Sequence, residues 1–376
     1  MNAESLSLTT APRFRWLHFS DIHVGVSGQK SLWPRFGTLL LDDVRRTLER
    51  TGPVDLVVFS GDLAQAGKKE EFERFDSIIN DILDAIGSNQ ERPKIVTIPG
   101  NHDLLRPDPL SSGALALKQY WSNENLRDAM WETKGKEYTQ FLNKVFKEYI
   151  AWRNNAIANG LHLASHAEGL LPGDASYVLS KEKGSLGLIA LNSTWLQLGG
   201  DNYEQQLHVD ARQILSVTNN KPDQFVQHHD VNLLVTHHPK NWLHPNTPSS
   251  WDNDINPAGR FDLHLFGHMH APDASALAQG GSLPRRSAQA ASLFGLEKYG
   301  DNKYERIQGY AVHEVTFNDT KRTLTVWPRR LIAVTAGNMK LVPDSSLDID
   351  EATGSFKYDY EIDRLYSNFS DLKKIM

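Results

Sequence analysis

The chain is 376 residues long, with 40 basic and 46 acidic side chains, a net charge of −6 and no cysteine. That length allows one large α/β domain with an insertion, or two modest domains, and the missing cysteines exclude disulfides, thiolate zinc sites, iron–sulfur clusters and a thiol nucleophile. At 40% hydrophobic and 23% charged residues the composition is that of a folded globular chain, without the basic excess of a protein held to nucleic acid mainly by phosphate contacts.

Residues 1–13 are polar, without periodicity, and read as a loose N-terminal arm. They lack the basic region and apolar core of a secretory signal. No run of about 18 apolar residues follows, so no membrane span is predicted, and a cytoplasmic location is expected. Short apolar runs then end in polar clusters. Phe14–Phe19 leads into Ser20-Asp21-Ile22-His23, Val54–Phe59 into Ser60-Gly61-Asp62, and Lys94–Ile98 into Pro99-Gly100-Asn101-His102-Asp103. Between them, Arg35–Arg50 and Lys69–Ile86 carry apolar residues at helical spacing. Strand, helix, strand, helix, strand at these lengths predicts βαβ units and a largely parallel sheet.

From about 104 to 175 the pattern breaks into a helical, aromatic insertion with Tyr120, Trp121, Trp131, Tyr149 and Trp152. It reads as a subdomain that buries its own aromatics and can also roof a cleft. The α/β pattern returns with a hairpin over Ser176–Leu179 and Leu186–Leu191 and a helix over Leu207–Val217. Two buried strands follow. Val231–Val235 ends in Thr236-His237-His238-Pro239, and Phe261–Phe266 ends in Gly267-His268-Met269-His270. Runs near 288–294, 308–317 and 322–328 predict a second, more antiparallel sheet. Residues 331–376, with five basic and eight acidic side chains, read as an acidic C-terminal extension, an appendage or a connector, after a domain spanning 14–330.

Five strand ends thus carry Asp, His and Asn in order. Ligands of α/β sheets collect where strands end and loops converge. Burying so many polar groups at one edge is costly unless something pairs them, and metal ions are the natural partner. Carboxylate and amide oxygens suit harder ions such as Mn²⁺, while imidazoles suit Zn²⁺ and Fe. A shared carboxylate can bridge two ions about 3.5–4 Å apart. The i, i+2 spacing of Asp21 with His23, and of His268 with His270, lets two side chains of one turn reach one site.

The set SDIH, SGD, GNHD, THHP, GHMH resembles the motifs of the calcineurin-like metallophosphoesterase superfamily, over about residues 14–330. The resemblance implies a four-layer αββα sandwich around a dinuclear centre. It places Asp21, His23 and His270 on one ion and Asn101, His237 and His268 on the other, with Asp62 bridging. His102 becomes the catalytic histidine and Asp103 the acid that orients it. The implied cofactors are two divalent ions, Mn²⁺ first, with Fe or Zn²⁺ as alternatives. The implied reaction is hydrolysis of a phosphodiester by a metal-bridging hydroxide.

Departures from the pattern narrow the branch. Gly61-Asp62 continues as Leu63-Ala64-Gln65 and Asp103 replaces Glu, unlike the protein phosphatases. His23 is present and position 65 is not Tyr, unlike the purple acid phosphatases. The chain is most similar to the bacterial cyclic-nucleotide-phosphodiesterase-like group, with the DNA-repair nucleases as runner-up. The expected substrate is a cyclic nucleotide or other small diester. The alternative is DNA or RNA, with the chain as an effector gated by a protein partner or oligomer through the insertion or the C-terminal extension. Substrate contacts are unassigned. Trp242, His244 and Trp251 could stack on a base, Arg285 and Arg286 could meet phosphate, Asn192 could reach the cleft, and His238 is expected beside the metals without ligating.

Overall fold

The computed structural model describes residues 11–361 apart from 28, 88–90, 133–135, 246, 248–249, 270–272, 279–282, 290, 295–296, 300–302, 306–307 and 336–337. In chain order the first half runs β1 (Arg13–Phe19), α1 (Gln29–Thr51), β2 (Leu56–Phe59), α2 (Lys69–Ile86), β3 (Lys94–Thr97), α3 (Ser112–Lys118), α4 (Glu124–Trp131), α5 (Lys136–Val145) and α6 (Lys147–Ala158). It continues with β4 (Ala167–Glu168), β5 (Ala175–Lys181), β6 (Gly184–Ala190), α7 (Ala211–Val217), α8 (Pro222–Gln227), β7 (Val231–Val235), β8 (Leu263–Phe266), β9 (Asp273–Leu277) and β10 (Arg285–Gln289). The remainder is β11 (Glu297–Tyr299), β12 (Lys303–Glu305), β13 (Gly309–Phe317), β14 (Lys321–Thr335), β15 (Asn338–Pro343) and β16 (Phe356–Glu361).

Two seven-stranded sheets result. One has the order β15-β14-β13-β1-β2-β3, with β16 also on β14; the other is β4-β5-β6-β7-β8-β10-β9. Strand alternation explains their stacking. Phe14, Trp16, Leu56, Val58, Val96 and Ile98 of the first sheet share a core with Leu186, Leu188, Val231, Leu233, Leu263 and Leu265 of the second. The opposite faces are apolar too. Leu17, Phe19, Val57, Phe59 and Ile95 pack against α1, α2 and α6, while Ile189, Leu191 and Leu234 pack against α7, α8 and the insertion. The result is the expected αββα sandwich, and both sheets send strand ends to one edge.

Four expectations are corrected. The strands after residue 308 do not build the second sheet. β13 pairs antiparallel with the free side of β1, and β14 with β13, completing the first sheet. The boundary at Arg330 falls inside β14. The segment beyond it is no appendage: β15 and β16 both pair with β14, and Phe356, Tyr358 and Tyr360 pack against the inter-sheet core. The insertion buries its aromatics only partly in itself: Tyr120 packs on Trp121 and accepts from Trp131 Nε1, but the larger contacts leave the insertion. Tyr149 and Trp152 pack on Phe72 and Phe75 of α2, whereas Tyr120 and Trp131 pack on Trp195. The helix expected from Leu207 begins only at Ala211, because Asp210 caps it by accepting the Arg212 amide. Residues 1–10 of the arm and 362–376 of the extension lie outside the described residues.

Candidate dinuclear metal centre

Three parallel strands of the first sheet deliver three turns. Asp21 and His23 follow β1, Asp62 follows β2, and Asn101, His102 and Asp103 follow β3. β7 and β8 of the second sheet deliver His237, His238 and His268. Backbone hydrogen bonds stitch these turns together: Asp21 N–H to Gly61 O at 3.1 Å, His23 N–H to Asp62 O at 2.9 Å, and Gly267 N–H to His237 O at 2.9 Å.

The fit is tight enough to require glycine. A Cβ on Gly61, whose φ is +100°, would stand 2.4 Å from His237 Nδ1; one on Gly100 would stand 2.1 Å from Asp62 Oδ1. Non-glycine residues are bent as well. Asp21, His23, Asp62 and His268 have φ of 53°, 48°, 54° and 73°, a left-handed region that costs L-residues energy and collects at functional sites.

The side chains converge. Asp62 Oδ2 lies 3.4 Å from His237 Nε2 and 3.7 Å from His23 Nε2, and His23 Nε2 lies 3.8 Å from Asp21 Oδ1. Asn101 Oδ1 meets His237 Nε2 at 3.1 Å and His268 Nδ1 at 3.0 Å. The His268 amide donates to Asp21 Oδ2 at 3.1 Å, and the His102 amide to Asp62 Oδ1 at 2.8 Å. Asp21, Asp62, Asn101 and His237 are buried. Burial by itself raises the Asp62 carboxyl, but His237, His102 and His23 override it and hold it well below the usual carboxylate range. Burial likewise opposes a charge on His237, and Asp62 outweighs it, raising the imidazole to about 9.

This donor set fits divalent cations. The donor atoms of Asp21, Asp62 and His237 lie within 4.8 Å of one another, as do those of His23, Asp62 and His102 and those of His237, His238 and His268. The hydrogen bonds sort these groups. His237 donates Nδ1–H to the Ser60 carbonyl at 2.8 Å, leaving Nε2 as a donor to an ion, the usual orientation of a metal-bound imidazole. His238 has both nitrogens engaged, with Ser193 Oγ at 3.0 Å and Gln197 Oε1 at 2.8 Å. It stands beside the cluster with no nitrogen left for an ion, and burial, then His268 and His237, hold it neutral. His270 lies outside the described residues.

His102 and Asp103 sit in the expected turn but do not form the expected pair. His102 donates Nδ1–H to the Gln65 carbonyl at 2.9 Å. Asp103 accepts from the Leu63, Ala64 and Gly100 amides at 3.1, 2.7 and 2.8 Å. It ties the turn after β3 to the turn after β2. Burial, then Asp62, pushes its carboxyl up to about 7. Gln65 and Ser60 act through main-chain carbonyls, which no side-chain pattern reveals. Ser193 and Gln197, in the loop after β6, were missed for want of any motif.

The other singled-out residues divide. The Trp242 ring packs edge-on against His268 at 4.1 Å and along His238 at 5.5 Å, at the centre itself. His244 stacks on Trp121 of the insertion at 4.0 Å. Trp251 is a buried residue of the outer core. Asn192 does not face the cleft: its amide donates to the Pro172 carbonyl and accepts from Thr194. Arg285 binds the carbonyls of Asn256 and Asp252, and Arg286 lies over the Tyr360 ring.

Fold and site together define a two-sheet α/β sandwich with a cluster of His, Asp and Asn donors that could hold divalent cations, at the edge where both sheets end. The chain belongs to the calcineurin-like phosphoesterase family, whose model matches residues 14–272. Similar solved structures include purple acid phosphatase from yellow lupin (Lupinus luteus) seeds, with a TM-score of 0.45, 12% identity, and 85% of this chain and 52% of that one covered. They also include a putative 5′-nucleotidase from Staphylococcus aureus, at 0.43, 12%, 91% and 57%, and Vps29 from Chaetomium thermophilum, at 0.33, 10%, 93% and 97%. The chain spans 52% and 57% of the first two. No curated protein matches it. Among the described residues no helix is long and apolar enough to cross a membrane.

Proposed function

We propose that the protein is a dinuclear metal-dependent phosphoesterase that hydrolyses phosphodiesters. One observation carries the reading: the Asp62 carboxylate lies between His23 and His237, at 3.7 and 3.4 Å, where two donor sets would share it. Asp21, His23 and His270 would hold the first ion, and Asn101, His237 and His268 the second. The mix of carboxylate, amide and imidazole donors suits Mn²⁺, with Fe or Zn²⁺ as alternatives. Two bound divalent ions supply an activated water and neutralise phosphate charge.

The chain's own residues do the rest. His102 donates Nδ1–H to Gln65, so Nε2 is the nitrogen that faces substrate. From there it delivers a proton to the leaving oxygen and returns to the neutral Nδ1–H form. Such a donor matters for the poor alkoxide leaving group of a natural diester. The net charge of −6 favours small diesters over DNA.

The test is metal content after Mn²⁺ loading, with turnover of bis-p-nitrophenyl phosphate, p-nitrophenyl phosphate and labelled linear DNA. Wild type should hold two ions per chain and prefer the diester. Asp62→Ala should lose metal and nearly all turnover. His102→Ala should keep its metal and lose most on substrates with poor leaving groups. Two ions and near wild-type turnover in Asp62→Ala would refute the bridging role, faster monoester cleavage the diester reading, and DNA cleavage lost in His102→Ala the preference for small substrates.

A further inference from the structure

A cavity of about 610 Å³ lies behind the segment that carries Trp242. The Trp242 ring packs on the metal-centre histidines, while Lys240, Asn241, Leu243 and His244 line the cavity. This segment is therefore a wall between two compartments. It is fixed by hydrogen bonds from the Leu207 amide to the Trp242 carbonyl and from the His244 amide to the Leu207 carbonyl, at 3.3 and 2.8 Å. The far wall is the second sheet, through His264, Phe266, Ser275 and Ser287.

The lining has three properties. It is aromatic: His264 lies 5.0 Å from Trp251 and 5.3 Å from Phe266, ring centre to ring centre. It is cationic in an acidic chain: Lys240 Nζ and Arg285 Nε stand 2.6 and 3.6 Å from the single carboxylate of Asp252, and with Arg286 the lining has three positive groups against one negative. Burial keeps His264 neutral, at about 3, so it adds no charge. It also offers hydrogen-bonding edges, from the amides of Asn241 and Asn256 and from the Ser275 and Ser287 hydroxyls, which lie 2.8 Å apart. Apolar rings, a few placed polar groups and a volume in the range of about 300–1,000 Å³ are the marks of a small-molecule site.

We propose that this cavity is a binding site, separate from the metal centre, for a nucleotide-class ligand: a planar heterocycle carried on an anion. The rings receive the heterocycle, the amides and hydroxyls its edge, and Lys240 with Arg285 the anion. The site does not depend on the reaction assigned to the metal centre.

The probe is the carbon-bridged phosphonate analogue of AMP, which has no hydrolysable P–O–C bond. Its binding to the Mn²⁺-loaded full chain is followed by calorimetry, with adenosine and inorganic phosphate as separate arms. Ser287→Trp, which fills the cavity, should abolish a saturable binding event while leaving metal content at the wild-type level. Lys240→Gln should weaken that event about tenfold, as loss of a charge-assisted contact does, and it carries the test should Ser287→Trp not fold. Adenosine alone and phosphate alone should each bind at least about tenfold more weakly than the probe. The proposal is overturned by no saturable binding at millimolar probe, by unchanged affinity in the variants, or by inorganic phosphate matching the probe.

Discussion

Replacing Asp103 with Asn separates two roles for that side chain. Its oxygens accept three buried amides, Leu63 and Gly100 on Oδ2 and Ala64 on Oδ1, whereas His102 is held by Gln65. Asn keeps one oxygen. Placed at Oδ2 it still serves Leu63 and Gly100, but its NH₂ then faces the Ala64 N–H, which lay 2.7 Å from Oδ1. One buried amide left without an acceptor costs about 1–3 kcal/mol. Above pH 7, where this carboxyl is ionised, exchanging it for a neutral acceptor weakens the other two bonds by about 0.5–1 kcal/mol each. The sum, about 2–5 kcal/mol, corresponds to a melting temperature lowered by about 3–6 °C for a chain of this size. Thermal and urea unfolding of Asp103→Asn should show that loss, with a smaller fall in turnover than Asp62→Ala at a temperature where both variants are folded. An unchanged melting temperature with collapsed kcat and a lost limb of the pH–rate profile would refute the reasoning and return Asp103 to orienting His102.

Two further predictions concern the frame. Burial pushes His18, His162 and His264 down to about 3, so the unfolded chain binds protons below the ordinary 6.5 that the folded chain refuses. Stability from this source is complete above pH 6.5 and falls as the pH drops toward 3, by about 2 kcal/mol per histidine at pH 5. His162→Gln, which can still accept the Thr97 amide and donate to the Leu163 carbonyl, should remove about one proton from the slope of urea stability against pH; an unchanged slope would refute a neutral His162. Arg329 grips Asp43 with two hydrogen bonds, at 2.8 and 2.6 Å, pinning β14 to α1. Arg329→Met should cost about 3–5 kcal/mol, much of it regained when Asp43→Leu is added; equal losses in single and double variants would show that the cost does not come from an unpaired Asp43.

The strand-end chemistry was legible because it is local. A short apolar run followed by Asp, His or Asn declares both a buried strand and the turn that leaves it, and the parallel order follows from helix-length spacers. That pattern put Asp21, His23, Asp62, Asn101, His237 and His268 within a few residues of a strand end, while their roles as ligands were what the resemblance implied. What was not legible depends on long-range pairing. β13 lies nearly 300 residues from its partner β1, and its alternating pattern is as compatible with a separate antiparallel sheet. The acidic composition after Arg330 suggested an appendage, yet β16 faces water with Lys357, Asp359 and Glu361 and reserves Phe356, Tyr358 and Tyr360 for the core. Net charge reports the outer face of an edge strand and is silent about the inner one. The aromatics of the insertion likewise announce burial without naming the surface that buries them.

Two of the site residues that escaped share one cause. Gln65 and Ser60 fix His102 and His237 through carbonyl oxygens, and every residue except its geometry has such an oxygen to offer. The same holds for Asp21, His23, Asp62 and His268, whose left-handed backbones are costly for L-residues. That cost is offset across the turns, by Gly61 accepting from Asp21, by Asp62 accepting from His23, and by Asp103 gathering three amides. Each turn is therefore held by its neighbours, and the donors of the second sheet meet those of the first only while the inter-sheet core keeps its register. With Gly61 set 2.4 Å from His237 by the measure of an added Cβ, a shift of one sheet by a fraction of an ångström misplaces His237 before it unpairs any strand. Geometry at the centre is thus more sensitive to core packing than the fold is.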